Sequence, residues 1–174
     1  VSEPDSALAQ ADTLDRVLGI KPGSLAHVRH ERQKVVDATQ ASEDLLLGAP
    51  IEGLSVRDRL FVALLACALT PAPELLAEYA QRLKSMGAST DLIDQVSASK
   101  IDGLDDERLK QILEFTRTLI IEPIKADKQA LLSLKAAGLT TPQITALAQL
   151  IAFVSYQVRV CAGLKALKAH GAKA

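Results

Sequence analysis

The sequence predicts an all-α protein. Three observations carry this. Apolar residues recur at helical spacing almost everywhere, and alternating strand patterns are absent. Hydrophobic residues make up 48% of the 174-residue chain and aromatics only 3%, so the core must be built from Ala, Leu, Ile and Val. Ala and Leu are strong helix formers. The periodic runs are also punctuated by glycine, proline and hydroxyl or acidic capping residues. The length suits one domain, or two small halves sharing a core, and is enough to bury most of the apolar surface without staples.

The first helix is expected from about Asp5 to Leu18, with Leu8, Ala11, Leu14 or Asp15, and Leu18 along one side. "GIKPGS" breaks it, and Ser24 is placed to cap the next. That helix, about Leu25 to Leu47, is polar in its middle. Its thin apolar stripe (Leu25, Val28, Val35, Val36, Leu45 and Leu46) predicts an outer helix or one bridging to another subunit. Gly48 and Pro50 end it. "LSVRD" opens the third helix as a capping box: Ser55 accepts from the N–H of Asp58, and Asp58 reaches back. Its "LFVALLACAL" is apolar all round, so this helix should be central. Thr70-Pro71-Ala72-Pro73 ends it, and Pro73 sits in the first turn of a fourth helix, where a missing N–H costs little. Met86-Gly87 closes that one.

Ser89, Thr90 and Asp91 offer caps for a short helix to about Ser99. "IDGLDDERLKQILEFTRTLI" is a capped amphipathic helix with Leu109, Ile112, Leu113, Thr116 and Leu119 or Ile120 on one face. Acids lead it and Arg117 falls near its end, as the helix dipole prefers. "IEPIKAD" is a loop. Asp127 to Ala137 is a three-turn helix closed by Gly138. The last and longest helix runs from Pro142 to about Ala169, with a fraying tail. "LSVRDRLFVALLACAL" and "LTTPQITALAQLIAFV" echo each other. They are either a duplicated hairpin or two independently capped core helices.

Composition narrows the function classes. A formal net charge of -1 offers no basic excess for a phosphate backbone, so nucleic acid is not an expected partner. The two cysteines, Cys67 and Cys161, form neither a C-x-x-C pair nor a zinc spacing, which fits a reducing cytoplasm. The beginning "VSEPDSALAQ" is acidic and unlike a secretion signal. The longest unbroken apolar run, Leu60 to Leu69, is ten residues against the about 20 a membrane span needs. A soluble cytoplasmic protein is therefore expected.

The order of segments resembles the carboxymuconolactone decarboxylase and AhpD-like superfamily. "GLSVRDRLFVALLACALTPAPELLAEYAQRLKSMG" is similar to that family's core: an "L-S-x-R-E-R" helix start, a buried helix, a turn, then the helix bearing the active site. The segment "LDDERLKQILEFTRTLIIEPIKADKQALLSLKAAGLTTPQITALAQLIAFVSYQVRVCAGL" follows the downstream pattern. The resemblance covers about Gly53 to Leu167. It implies an orthogonal bundle of about eight helices, a single domain with residues 1–50 as an N-terminal helical extension, and assembly as a trimer or hexamer. The apolar Leu60–Leu69 helix and the long last helix agree with an oligomer.

The resemblance also implies where chemistry would sit. Active members carry a C-x-x-C at the start of the helix after the turn, a histidine four residues on, and an acid on the preceding helix. The thiolate attacks peroxide, the second cysteine resolves the sulfenic acid, and the histidine and acid move the proton. Here those positions hold Ala72, Leu75, Tyr79 and Leu60. The peroxidase chemistry does not carry over. Cys67, five residues before Ala72 among Ala66, Ala68 and Leu69, reads as an inert buried thiol. Cys161 lies one turn after Gln157 and near Arg159.

The decarboxylase branch needs no cysteine pair. It would need groups to grip an anion and a proton donor, and Arg57, Arg59, Tyr79, Gln157 and Arg159 are the available types. The candidate pocket is thus Asp58, Cys67, Glu78, Tyr79, Gln157 and Arg159. Against it stands a structural role, with Arg159 paired to Asp58 or Glu78 and Tyr79 a half-buried ring. His27-x-x-His30-Glu31 shares a helix face but lacks a third ligand and is flanked by Arg29 and Arg32, so no metal is expected; His170 has no role. No cofactor is implied. Three readings follow. One is a non-redox small-molecule enzyme, another a non-catalytic oligomeric partner or binding protein. A hydroperoxidase working through Cys67 or Cys161 is a third. An open cavity with convergent polar groups at Tyr79 marks the first, and a filled dry interior the second.

Overall fold

The computed structural model describes residues 12–171, which form nine α-helices and one 3₁₀ turn, with no strand among them. The helices are α1 (Thr13–Leu18), α2 (Ser24–His30), α3 (Gln33–Leu47), α4 (Val56–Leu69), α5 (Pro73–Ser85), α6 (Thr90–Ser97), α7 (Glu107–Ile121), α8 (Lys128–Ala136) and α9 (Thr141–Gly171); the 3₁₀ turn is Pro123–Lys125.

The architecture is built around α4. Every residue from Arg59 to Cys67 is buried, and α5, α6, α7 and α9 pack around it. A helix apolar on all sides has no solvent face to offer, so it is stable only when other helices cover it. Burying each Leu, Val or Phe here contributes about 1.5–3 kcal/mol. The cover comes from within the chain, so the apolarity of Leu60–Leu69 no longer argues for a partner subunit. Ser55 accepts from the Asp58 N–H at 3.0 Å as expected. Asp58 does not reach back; its carboxylate takes Arg108 at 3.2 Å.

The capping chemistry sets most boundaries. Asp12, Ser55, Asp106 and Asp127 each accept from the first turn of their helix. Pro73 opens α5, and Gly87 and Gly138 leave α5 and α8 at φ +77° and +86°, values that favour glycine. Gly53 sits at φ +68°, which favours glycine, and a side chain there would also have to push the Gln143 amide aside.

Four expectations need correction. Asp12 is extended (φ -63°, ψ 167°) and caps α1, so no single helix runs from Asp5 to Leu18; Leu8 and Ala11 lie outside the described residues. Ser24 is the first residue of α2 and caps nothing. The expected Leu25–Leu47 helix breaks at Glu31–Arg32, where Arg32 leaves helical dihedrals (φ -110°, ψ 63°). The break turns α2 so that Arg29 and His30 meet Asp12 and Asp15 of the α1 segment, while α3 buries Val36, Thr39, Glu43 and Leu47, of which only Val36 belongs to the expected stripe. Leu45 is left 62% exposed. Finally, α9 stays helical through Gly171. Thr141–His170 is long and apolar enough to cross a membrane by composition. A core helix passes the same test, and here Leu147, Leu150, Val154, Val158 and Cys161 are buried in the bundle core.

Candidate functional site

The position that the resemblance gives to the family histidine is the centre of a buried polar chain. In α5 the spacing of Leu75, Tyr79 and Leu83 turns all three into the core. The Tyr79 hydroxyl donates to Gln157 Oε1 at 2.6 Å. Gln157 Nε2 donates to Glu43 Oε2 at 2.7 Å. Glu43 Oε1 accepts from the Thr13 hydroxyl at 2.9 Å and from Arg82 at 3.0 Å. The chain of bonds thus joins α5, α9, α3 and α1. The orientation of Gln157 is dictated: an ionised carboxylate only accepts, so the amide N–H must face Glu43 and the amide oxygen must face the phenol.

Burial acts on both titratable groups of this chain. Burial pushes the Glu43 carboxyl up, opposed by the hydrogen bonds from Thr13 and Gln157 and by Arg82. Burial also pushes the Tyr79 hydroxyl well up, and Glu43 adds to that. Tyr79 and Gln157 are fully buried and Glu43 is only 3% exposed. Each polar atom of the chain has its partner, which is how a folded core tolerates such groups. A reacting molecule would have to displace a satisfied bond to enter.

The thiols are equally closed. Cys67 and Cys161 are free and buried. Burial raises the Cys67 thiol far above its ordinary range, with Cys161 adding to the effect. Burial, then Glu74, pushes Cys161 up to about 11. Neither sits at a helix N-terminus, where a thiolate would be stabilised. Leu60, Ala72 and Leu75, at the remaining family positions, are buried apolar side chains.

Of the candidate pocket, the fold joins Tyr79 and Gln157 by a hydrogen bond and places Cys67 in the same buried core, where Cys161 also lies. The others lie elsewhere. Asp58 pairs with Arg108. Glu78 holds Arg16 through two bonds of 2.8 Å, and the first of those interactions keeps its carboxyl below the usual range. Arg159 is exposed and donates to Ser155 of its own helix at 2.7 Å; it pairs with neither acid and does not share a cavity with Tyr79. Tyr79 is fully buried, not half-buried. Arg57 lies 5.2 Å over the Phe61 ring, and Arg59 is a buried staple to the carbonyls of Leu46, Ala49, Leu54 and Ser55. His30 pairs with Asp15, and among the described residues no cluster of three metal-binding side chains forms.

Sequence reasoning missed Glu43, Thr13 and Arg82. One signal for Glu43 was available: Val36, Thr39, Glu43 and Leu47 follow a 3-4-4 spacing, which places an acid on the inward face. Nothing local marks Thr13 or Arg82.

An open cleft of about 390 Å³ lies apart from this network, where α1, α2 and α9 meet the start of α5. Its walls include Val17, Leu18, Leu25 and Leu164, with Glu74, Lys165 and Lys168 as its charged groups.

No family profile matches the chain, and no curated protein matches it in sequence. Solved structures do. An uncharacterized peroxidase-related protein from Silicibacter superposes with a TM-score of 0.74 at 16% identity, over 94% of this chain and 86% of that one. An alkylhydroperoxidase AhpD core protein from Ralstonia eutropha, also described as uncharacterized and peroxidase-related, gives 0.72 at 17% identity, over 94% and 88%. A protein of unknown function from Agrobacterium tumefaciens gives 0.69 at 16%, over 78% and 90%. This chain shares the all-helical fold of these three proteins.

Proposed function

We propose that this chain is a binding protein built on the AhpD-like fold, without thiol peroxidase chemistry. The observation that carries the reading is the sealed Tyr79–Gln157–Glu43 chain, fully bonded where an active family member would hold its proton-transfer groups. Peroxide reduction needs a reachable thiolate, and both thiols here are buried with raised pKa values. The alternative of a non-redox enzyme at the same place needs an open cavity with convergent polar groups. Tyr79 and Gln157 present no surface to one, and Arg159 faces outward. The trimer or hexamer that the resemblance implies belongs to the same proposal. The exposed Leu131, Leu132 and Ile124 near the α8 end of the bundle supply apolar surface for it.

The test is hydroperoxide consumption with a dithiol reductant, for the wild type, Cys67→Ser and Cys161→Ser. All three should match the protein-free rate. Wild-type turnover that disappears in one serine variant would refute the reading and identify the working thiol.

A further inference from the structure

The cleft beside α1 continues into a second hollow of about 320 Å³ over the Gly19–Ser24 turn, and the two share Leu25 and Lys168. Their linings differ in kind. The first has apolar walls in Val17, Leu18 and Leu164, with the Glu74–Lys165 pair and Lys168 beside them. The second adds Lys21. Charges in this double cleft are unbalanced. Lys165 is neutralised by Glu74 at 2.6 Å. Lys21 and Lys168 pair with no carboxylate among the described residues, and Lys168 makes only a long 3.4 Å bond to the Leu18 carbonyl. The carboxylates of the α1 segment are already engaged, Asp12 by Arg29 and Asp15 by His30. The result is an apolar lobe opening onto two cations that have no acid partner among the described residues, with volumes in the range of small-ligand sites (about 300–1,000 Å³).

We propose that this double cleft binds an amphipathic monoanion, an unbranched medium-chain carboxylate. Its chain lies along Val17, Leu18 and Leu164, and its head lies between Lys21 and Lys168. This rests on the reading of the chain as a binding protein and names its ligand class. The groove between α8 and α9 also mixes leucines with lysines, but it is walled by two helices only. Four helices contribute walls to the first lobe, and it alone opens onto a second hollow that carries a further lysine.

The experiment is an amide NMR titration of the full chain with decanoate below its micelle concentration, compared with octanoate and decanol. Decanoate should shift the amides around Leu18, Leu25 and Leu164 saturably at one site. Each methylene removed should weaken binding about threefold to fourfold. Lys21→Ala and Lys168→Ala should each weaken it by up to about fivefold, as exposed ion pairs do. Both lysines are exposed, so the variants should melt like the wild type. Decanol binding as tightly as decanoate, shifts centred on Leu131, Leu132 and Ile144, or no saturable shift would each overturn the proposal. The hydroperoxide assay separates the two failures: no decanoate binding with silent turnover sinks the ligand assignment alone, whereas turnover sinks the binding-protein reading.

Discussion

Glu43 is the residue whose removal should cost most for its size. Its carboxylate accepts from Thr13 at 2.9 Å, Gln157 at 2.7 Å and Arg82 at 3.0 Å. Glu43→Ala removes all three acceptor bonds. Arg82 is 30% exposed and can turn to water. Gln157 is fully buried and Thr13 is 7% exposed, so their donors stay unpaired. Each such donor costs about 1–3 kcal/mol, giving about 2–6 kcal/mol in all. At about 2–4 °C per kcal/mol for a domain of this size, the melting midpoint should fall by about 4–24 °C. Glu43→Gln keeps an acceptor oxygen and should lose less.

The pH dependence is a second readout of the same residue. Burial raises the Glu43 pKa in the folded state, so the folded chain binds this proton more tightly than the unfolded one. Its contribution to stability is therefore greatest below the ordinary carboxyl pKa and declines as pH rises through the raised folded value. Glu43→Gln, which cannot titrate, should flatten that part of the profile. Thermal melts by circular dichroism from about pH 4 to pH 8 measure both effects. A Glu43→Ala midpoint within about 1 °C of wild type, or an unchanged slope in Glu43→Gln, would refute the account of the buried chain.

Two further predictions follow from other buried or half-buried cations. Arg59, 1% exposed, serves carbonyls of the α3 C-terminus and the α4 entry. Arg59→Met should destabilise by about 3 kcal/mol or more by denaturant melts, and Arg59→Lys should recover less than half, because an ammonium lacks the planar fork. His30 is shifted upward: burial alone would lower it, but the bonds to Gln33 and Asp15 win. Its stabilisation is present below the ordinary imidazole pKa and is lost as pH rises through the folded value. His30→Asn should show no such loss between about pH 6 and pH 8.

The helical content and most element ends were legible because they depend on local chemistry. A capping aspartate, a proline in a first turn or a glycine after the last turn acts on its own neighbours, so a linear reading finds it. The one long misreading, a single helix from Leu25 to Leu47, has a tertiary cause. Nothing in "HERQKV" forbids a helix, but Arg29 and His30 are turned toward Asp12 and Asp15. The inward face of α3 was misread for a related reason: hydrophobicity alone selects Leu45, whereas the core takes Glu43 because partners from three other helices satisfy it.

By itself, then, the sequence determined an all-α bundle around "LFVALLACAL", the absence of a C-x-x-C pair, and a candidate set in which Tyr79 and Gln157 stood beside Asp58, Cys67, Glu78 and Arg159. Only the tertiary structure decided what those groups do. Tyr79 and Gln157 are 78 residues apart and meet Glu43 from a further helix. A hydrogen-bond partner so distant in sequence is set by helix packing, not by spacing. The same packing sent Arg159 to the surface and left Lys21 and Lys168 facing one cleft. Whether a polar side chain becomes a site or a staple depends on which neighbours the fold delivers and whether water can follow them in.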